Sequence, residues 1–267
     1  MSQRKLGVGE VVEQALPPSA AIGRYIGPML KALIRAIRPW PAVCQVCGQW
    51  PAQPVCRACV CRFALARSRC SGCAAPLAPH SGVCGECLTR AAPAPLDHCL
   101  AAVDYAYPWD HLIARFKFRD EPGLAGVLAE RMLAAPGAAE ALASSDWLVP
   151  IPLSPQRLVS RGYNQAWELV KAVQARVAPA PLGLADALVR LGEAPDQHSL
   201  PREQRLRNLR GAFATAPQHV ETLRGQRVLL VDDVSTTGAT LHSAALALKQ
   251  AGVAQVQGLV IARTLPH

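Results

Sequence analysis

The sequence predicts an α/β fold built on a mainly parallel sheet, preceded by a small cysteine-rich module. Three observations carry this reading. Short apolar runs alternate with helical patterns over residues 93–267, as expected of strands joined by helical crossovers. One run, residues 228–231, has no polar interruption and reads as a strand buried on both faces. Ahead of that alternation, four C-x-x-C pairs are crowded into 44 residues. A chain of 267 residues is long enough for one good core plus a smaller unit.

Residues 1–39 read as an arm followed by a basic amphipathic helix. Residues 1–20 show little periodicity and end in a Leu-Pro-Pro-Ser-Ala stretch. Ile22, Ile26, Met29, Leu30, Leu33, Ile34 and Ile37 then recur at helical spacing, accompanied by Arg24, Lys31, Arg35 and Arg38. Such a stripe packs against a neighbouring domain or lies on a membrane surface. No run reaches the ~18–20 apolar residues of a spanning helix. The N-terminus lacks a signal-peptide core, so a cytoplasmic protein is expected. The net charge of +9 is uneven: 11 of 28 Lys/Arg but only 3 of 19 Asp/Glu fall in residues 1–90. Single-stranded DNA or another polyanion as partner would explain this balance, and so would an ordinary solvated basic face.

Residues 40–92 hold Cys44 and Cys47, Cys56 and Cys59, Cys70 and Cys73, and Cys84 and Cys87, with gaps of 8, 10 and 10 residues between pairs. A C-x-x-C turn aims two thiolates at one point, and a tetrahedral Zn²⁺ takes two such turns. A disulfide framework belongs to secreted chains, and a redox C-x-x-C appears once at a helix start, not four times. The expectation is therefore two structural Zn(Cys)₄ sites. Sequential grouping is simplest, and a cross-braced alternation stays open. Large apolar residues are few here, so metal supplies most of the stability, on the scale of about 10–16 kcal/mol per structural site. Cys61 and Cys99 are left over as spare thiols.

Residues 91–95 read as a linker opening the 93–267 domain. A strand is expected over 100–107 and a short helix over 110–118, the latter carrying Arg115-Phe116-Lys117-Phe118-Arg119. Basic residues interleaved with aromatics can hold phosphates and stack bases, and one turn of an amphipathic helix gives the same letters. An Ala-rich helix follows over 124–135. Residues 147–152 form a second apolar strand ending in prolines. Arg157 and Arg161 then flank a polar connection into a helix reaching residue 177, where two arginines at a strand end could hold a diphosphate. Residues 188–190 form a short strand. The basic stretch 197–213, with His198 and Arg205, is long enough to be a closing lid. A last strand is expected over 256–262.

The chemistry concentrates in residues 227–241, RVLLVDDVSTTGATL. Asp232 and Asp233 stand at the strand's carboxyl end. Ser235, Thr236, Thr237, Gly238, Ala239 and Thr240 make a small, hydroxyl-rich turn, and a helix over 241–251 follows with Gly252 as its cap. Unpaired amides in a glycine turn backed by a helix N-terminus bind phosphate. Carboxylates beside a phosphate suit sugar hydroxyls or a water-retaining Mg²⁺. Phosphate, diol and metal together describe a ribose 5-phosphate.

The stretch resembles the 5-phosphoribosyl pyrophosphate (PRPP) signature of the type I phosphoribosyltransferases. The wider set of motifs resembles the ComF family over residues 43–263: the paired C-x-x-C turns, V-P-I-P, R-G-Y-N-Q, the Q-x-x-L to A-F segment, V-D-D-V-x-T-T-G-A-T and the closing A-R-T. That resemblance implies a type I phosphoribosyltransferase fold behind a zinc module. It implies that Asp232 and Asp233 hold the ribose, that Ser235 to Thr240 cradle the 5-phosphate, and that Arg205 belongs to the catalytic lid. Pro150, Ile151 and Pro152 match the strand leading to the pyrophosphate side. PRPP with Mg²⁺ is the implied ligand, and DNA uptake, with other competence proteins as partners, the implied process. The competing reading is a non-catalytic sensor or single-stranded-DNA-handling factor. The acceptor is not named by any motif.

Overall fold

The computed structural model describes residues 42–78, 81–90, 94–191 and 211–265. The expected arm and helix of residues 1–39, His198 and Arg205 lie outside the described residues. Five parallel strands form the central sheet in the order β1-β7-β6-β2-β3. These are β1 (His98–Asp104), β2 (Trp147–Pro150), β3 (Leu182–Gly183), β6 (Arg227–Ser235) and β7 (Gln255–Arg263). β4 (Leu188–Arg190) and β5 (Phe213–Thr215) pair antiparallel beside it and stand, in sequence, on either side of the stretch whose residues 192–210 lie outside the described ones.

β6 sits between β2 and β7, with Val228–Val231 in register with Trp147–Pro150 and Val228 opposite Val256. Its apolar run serves two cores by strict alternation. Leu229 and Val231 join Leu148, Leu259 and Ile261 beneath α4 (Ala125–Leu133) and α7 (Gln165–Gln174). Val228 and Leu230 join Val149, Val256 and Val260 beneath α9 (Ala239–Gln250). A strand flanked by other strands and covered on both faces has no room for a polar residue until it leaves the helices behind. That point is Asp232.

Several boundaries differ from expectation, each for a local reason. β6 runs on through both aspartates to Ser235, because β7 continues to pair with it as far as Arg263. The Ala-rich helix stops at Leu133 and restarts as α5 (Ala138–Ala143), because Pro136 cannot continue a helix and Gly137 takes φ +81°. The connection after β2 contains a short helix, α6 (Pro155–Arg161), capped by Ser154 with Pro155 in its first turn. β1 is shifted to 98–104. α9 starts two residues earlier than expected and ends before Gly252, whose φ of +89° closes it as the sequence predicts.

The cysteine region forms two units. One carries α1 (Arg57–Phe63) and packs Cys44, Val55, Cys56 and Cys59 into the core shared with α4 and α3 (Trp109–Phe118), where Trp109 Nε1 donates to the Phe63 carbonyl at 2.7 Å. The other, with α2 (Gly85–Leu88), lies against β1: the Cys99 N–H donates to the Ser71 carbonyl at 2.8 Å, and Arg69 pairs with Asp104 at 2.8 Å. Among the described residues no helix is long and apolar enough to cross a membrane.

Candidate functional site

β2 and β6 are neighbours, yet the chain leaves β2 toward β3 and leaves β6 toward β7 on the opposite side. Their carboxyl ends therefore open a crevice at the switch in strand order, the place where open α/β sheets bind ligands. The loop after β2 and the turn after β6 form its walls.

Asp232 and Asp233 stand in the crevice, the first half-buried and the second buried. Asp233 is paired at 2.9 Å with Lys117, which reaches across from the end of α3. Burial, followed by the charge of Asp233, pushes the Asp232 carboxyl up to about 7, against the opposing pull of Lys117, the Asp233 N–H and Arg190. Burial lowers the Arg161 guanidinium, while the charges of Asp233 and Asp232 support it and Arg157 opposes it. Arg190, stacked on Phe213 at the base of the β4–β5 pair, is likewise lowered by burial and feels both Arg157 and Asp232. Lys117, Arg161 and Arg190 thus act electrostatically on the two carboxylates, and Arg157 acts on both arginines.

The turn after β6 is poised for an anion. Gly238 adopts φ +78°, which lets the chain enter α9 directly from the strand. Among the described hydrogen bonds, none uses the N–H of Thr236, Thr237 or Gly238 as donor. The Ser235 hydroxyl is buried beneath the turn without a partner. Thr237 Oγ1 accepts from the Ala239 N–H at 3.3 Å, while Thr236 is exposed and Thr240 half-buried. Unclaimed amides thus stand at the start of a twelve-residue helix, with an orphan hydroxyl buried beneath them.

The wall after β2 is different. Pro150 and Pro152 have no N–H, and the Ile151 N–H is consumed by the Val231 carbonyl at 3.0 Å. The Ile151 carbonyl accepts from Asn164 Nδ2, and Asn164 Oδ1 caps α7. These three residues form a rigid floor and offer no backbone donor. On this side the side chains of Arg157 and of Arg161, which bonds Gln165 at 3.0 Å and lies over Phe118, offer cationic donors.

Cys44, Cys47, Cys56 and Cys59 form one cluster, and Cys70, Cys73, Cys84 and Cys87 a second, each with all sulfurs within 4.8 Å of one another. Sequential grouping therefore holds over the cross-braced alternative. The donor set fits a tetrahedral thiophilic cation such as zinc. Amide-to-sulfur bonds support the fit: the Cys56 N–H meets Cys44 Sγ at 3.3 Å, and the Cys84 N–H meets Cys70 Sγ at 3.2 Å. Burial alone would raise these two thiols, but backbone N–H groups outweigh it and bring Cys44 down to about 6 and Cys70 to about 7. Of the leftover thiols, Cys61 is exposed and Cys99 is buried, the latter pushed up to about 12 by burial and then by Cys73.

Beside Lys117 and Arg190, which act on the acid pair, His242 bonds the Gly238 carbonyl and Arg263 the Ser235 and Thr236 carbonyls of the turn, and the sequence singles out none of these four as a site residue. Lys117 had a signal, its place in a basic-aromatic string. Arg263 had one in the closing A-R-T. Arg190 and His242 had none, because nothing local distinguishes them.

The family description "Phosphoribosyl transferase domain" matches residues 171–264. A DNA utilization protein, YhgH, of Escherichia coli K12 is 31% identical over 235 residues, covering 84% of this chain and 98% of the relative. Competence protein F of Haemophilus influenzae is 32% identical over 197 residues, 73% of this chain and 84% of the relative. Competence protein ComFC of Bacillus subtilis is 37% identical over 107 residues, 40% of each. With its parallel sheet, switch-point crevice and cysteine clusters, the chain has a type I phosphoribosyltransferase fold. It belongs to the ComF family.

Proposed function

We propose that the protein binds PRPP with Mg²⁺ in the β2–β6 crevice and transfers its phosphoribosyl group to an acceptor, as a cytoplasmic step supporting DNA uptake. The observation that carries this is the turn after β6, with free amides and the orphan Ser235 hydroxyl beside an acid pair on which Lys117 and Arg190 act. The turn takes the 5-phosphate through Ser235 to Thr240. Asp232 and Asp233 accept from the ribose hydroxyls once Lys117 yields Asp233. Arg157 and Arg161 meet the pyrophosphate, which the floor of Pro150, Ile151 and Pro152 leaves to side chains. Arg205 joins them from the lid. Mg²⁺, when bound, would neutralise charge on the departing pyrophosphate. Fixing the sugar while cations stabilise the leaving group needs no protein nucleophile. In this reading residues 40–92 are a double zinc module that covers the domain of residues 93–267.

The relatives' names, with competence and DNA utilization in them, support the process. A second reading, a PRPP sensor without turnover, is favoured by one feature: the pyrophosphate side has no backbone donor in the floor of Pro150, Ile151 and Pro152. Calorimetric binding of PRPP and release of pyrophosphate against a nucleobase panel decide between them, using wild type and the Asp232→Asn/Asp233→Asn pair. Mg²⁺-dependent binding should be lost in the double variant. Equal binding by both proteins refutes the site, and binding without release favours the sensor.

A further inference from the structure

We propose that the second cysteine cluster sets the geometry of the phosphate turn, with Arg263 as the positioning residue that couples them. Arg263 ends β7 and is buried. Its Nε donates to the Cys73 carbonyl at 3.0 Å, inside the second C-x-x-C cluster. Its Nη1 donates to the Thr236 carbonyl and to the Ser235 carbonyl at 3.3 Å. Thr264 reinforces the clamp, its N–H donating to the Ser235 carbonyl at 3.1 Å and its hydroxyl to the Thr236 carbonyl at 3.3 Å. One guanidinium therefore joins a metal-binding knuckle to the first two peptide units of the turn.

A second link reaches the other end of the turn. The Gly238 carbonyl accepts from His242 Nδ1 at 2.9 Å, and His242 Nε2 meets the Arg90 guanidinium, three residues beyond Cys87. This arrangement suits a neutral imidazole with its proton on Nδ1.

The clamp acts through peptide planarity. In a trans peptide C=O and N–H point in opposite directions. Pinning the carbonyls of Ser235 and Thr236 onto Arg263 therefore turns the N–H groups of Thr236 and Thr237 outward, toward the phosphate position. The geometry of the anion site is thus inherited from the second cluster. The first cluster does not share this role: among the described residues, no hydrogen bond or ion pair joins residues 42–64 to residues 235–242.

The inference deepens the proposed function and rests on it only for the identity of the ligand. The test pairs hydrogen exchange of the two amides that hold the turn's carbonyls, Thr264 N–H on Ser235 and His242 N–H on Gly238, with calorimetric binding of ribose 5-phosphate, in zinc-loaded full-length protein. Three variants are compared with wild type: Cys84→Ser/Cys87→Ser, Cys47→Ser/Cys59→Ser and Arg263→Gln. Zinc per chain is measured in each. Exchange of these amides should rise, and affinity fall, by ~10-fold or more in the second-cluster variant and in Arg263→Gln, a typical size for coupling between sites. The first-cluster variant should leave their exchange at the wild-type rate. Arg263→Gln retains all eight cysteine ligands, so it decides the matter if a cysteine variant fails to fold. Wild-type exchange in Arg263→Gln with both zinc ions bound overturns the coupling. If wild type itself binds no ribose 5-phosphate, the ligand reading fails, and the exchange result still decides whether the cluster orders the turn.

Discussion

Asp232 is a carboxylate whose ionisation the fold strongly perturbs. Its carboxyl, pushed to about 7 in the folded chain by burial and by Asp233, has an ordinary value of 3.8. Between those two values the folded state holds a proton that the unfolded state has released, so stability falls as pH rises through that window. Asp232→Asn removes the penalty. Its Tm should exceed that of wild type at pH 8 and match it near pH 4, read by thermal unfolding at both values, with each kcal/mol worth ~2–4 °C in a domain of this size. Lys117 is the complementary case. It neutralises Asp233 from 2.9 Å away, in the position a ligand cation would contest. Lys117→Met should lower Tm without Mg²⁺ and show a larger Mg²⁺-induced rise in Tm than wild type. An identical Mg²⁺ response in both proteins would remove Lys117 from the site.

At the scale of elements, the strand-turn-helix unit β6–α9 depends on one backbone conformation. Gly238 holds φ +78°, and a Cβ there would lie 3.4 Å from His242 Nδ1, an ordinary contact. The cost of a side chain is therefore one of backbone strain rather than collision. Gly238→Ala should cost ~1–2 kcal/mol, the usual penalty for a non-glycine residue in the left-handed region. Denaturant unfolding measures that loss, and ribose 5-phosphate affinity should fall with it as the turn's amides rotate. β6 itself was legible because its apolar run is long and unbroken. α6 was not, since Leu158 and Val159 are exposed and give no amphipathic signal. The β4–β5 pair was half legible: residues 188–190 have strand letters, but their partner is assigned by register alone.

At the scale of the molecule, the two cysteine clusters attach to different parts of the fold. The first packs with α3 and α4, and the second with β1 and the turn after β6. Both attachments rest on C-x-x-C knuckles with little apolar content of their own, so metal removal should propagate into the larger domain. A chelator under reducing conditions should lower the Tm of the whole chain, and zinc should restore it. An unchanged transition would show that the clusters fold as independent appendages. The two cysteine clusters were legible because thiolate spacing is a local property. Their division of labour was not, since Cys73 and Thr236 are far apart in the chain and meet only through Arg263.

What the sequence by itself determined is everything encoded within one turn or one strand: the parallel α/β class, the buried strand, the acid pair with its glycine turn, and the cysteine pairs. Each follows from residue type and short-range spacing, which backbone geometry converts directly into structure. Only the tertiary structure decided which charges share the crevice. Lys117 from α3 and Arg190 from β4 are brought to the acid pair, and Arg263 from β7 to the carbonyls of the turn, by sheet order and by packing on both faces. Long-range contacts of that kind are set by which helices cover which face; local patterns mark Lys117 and Arg263 as residues of interest but do not record what they touch.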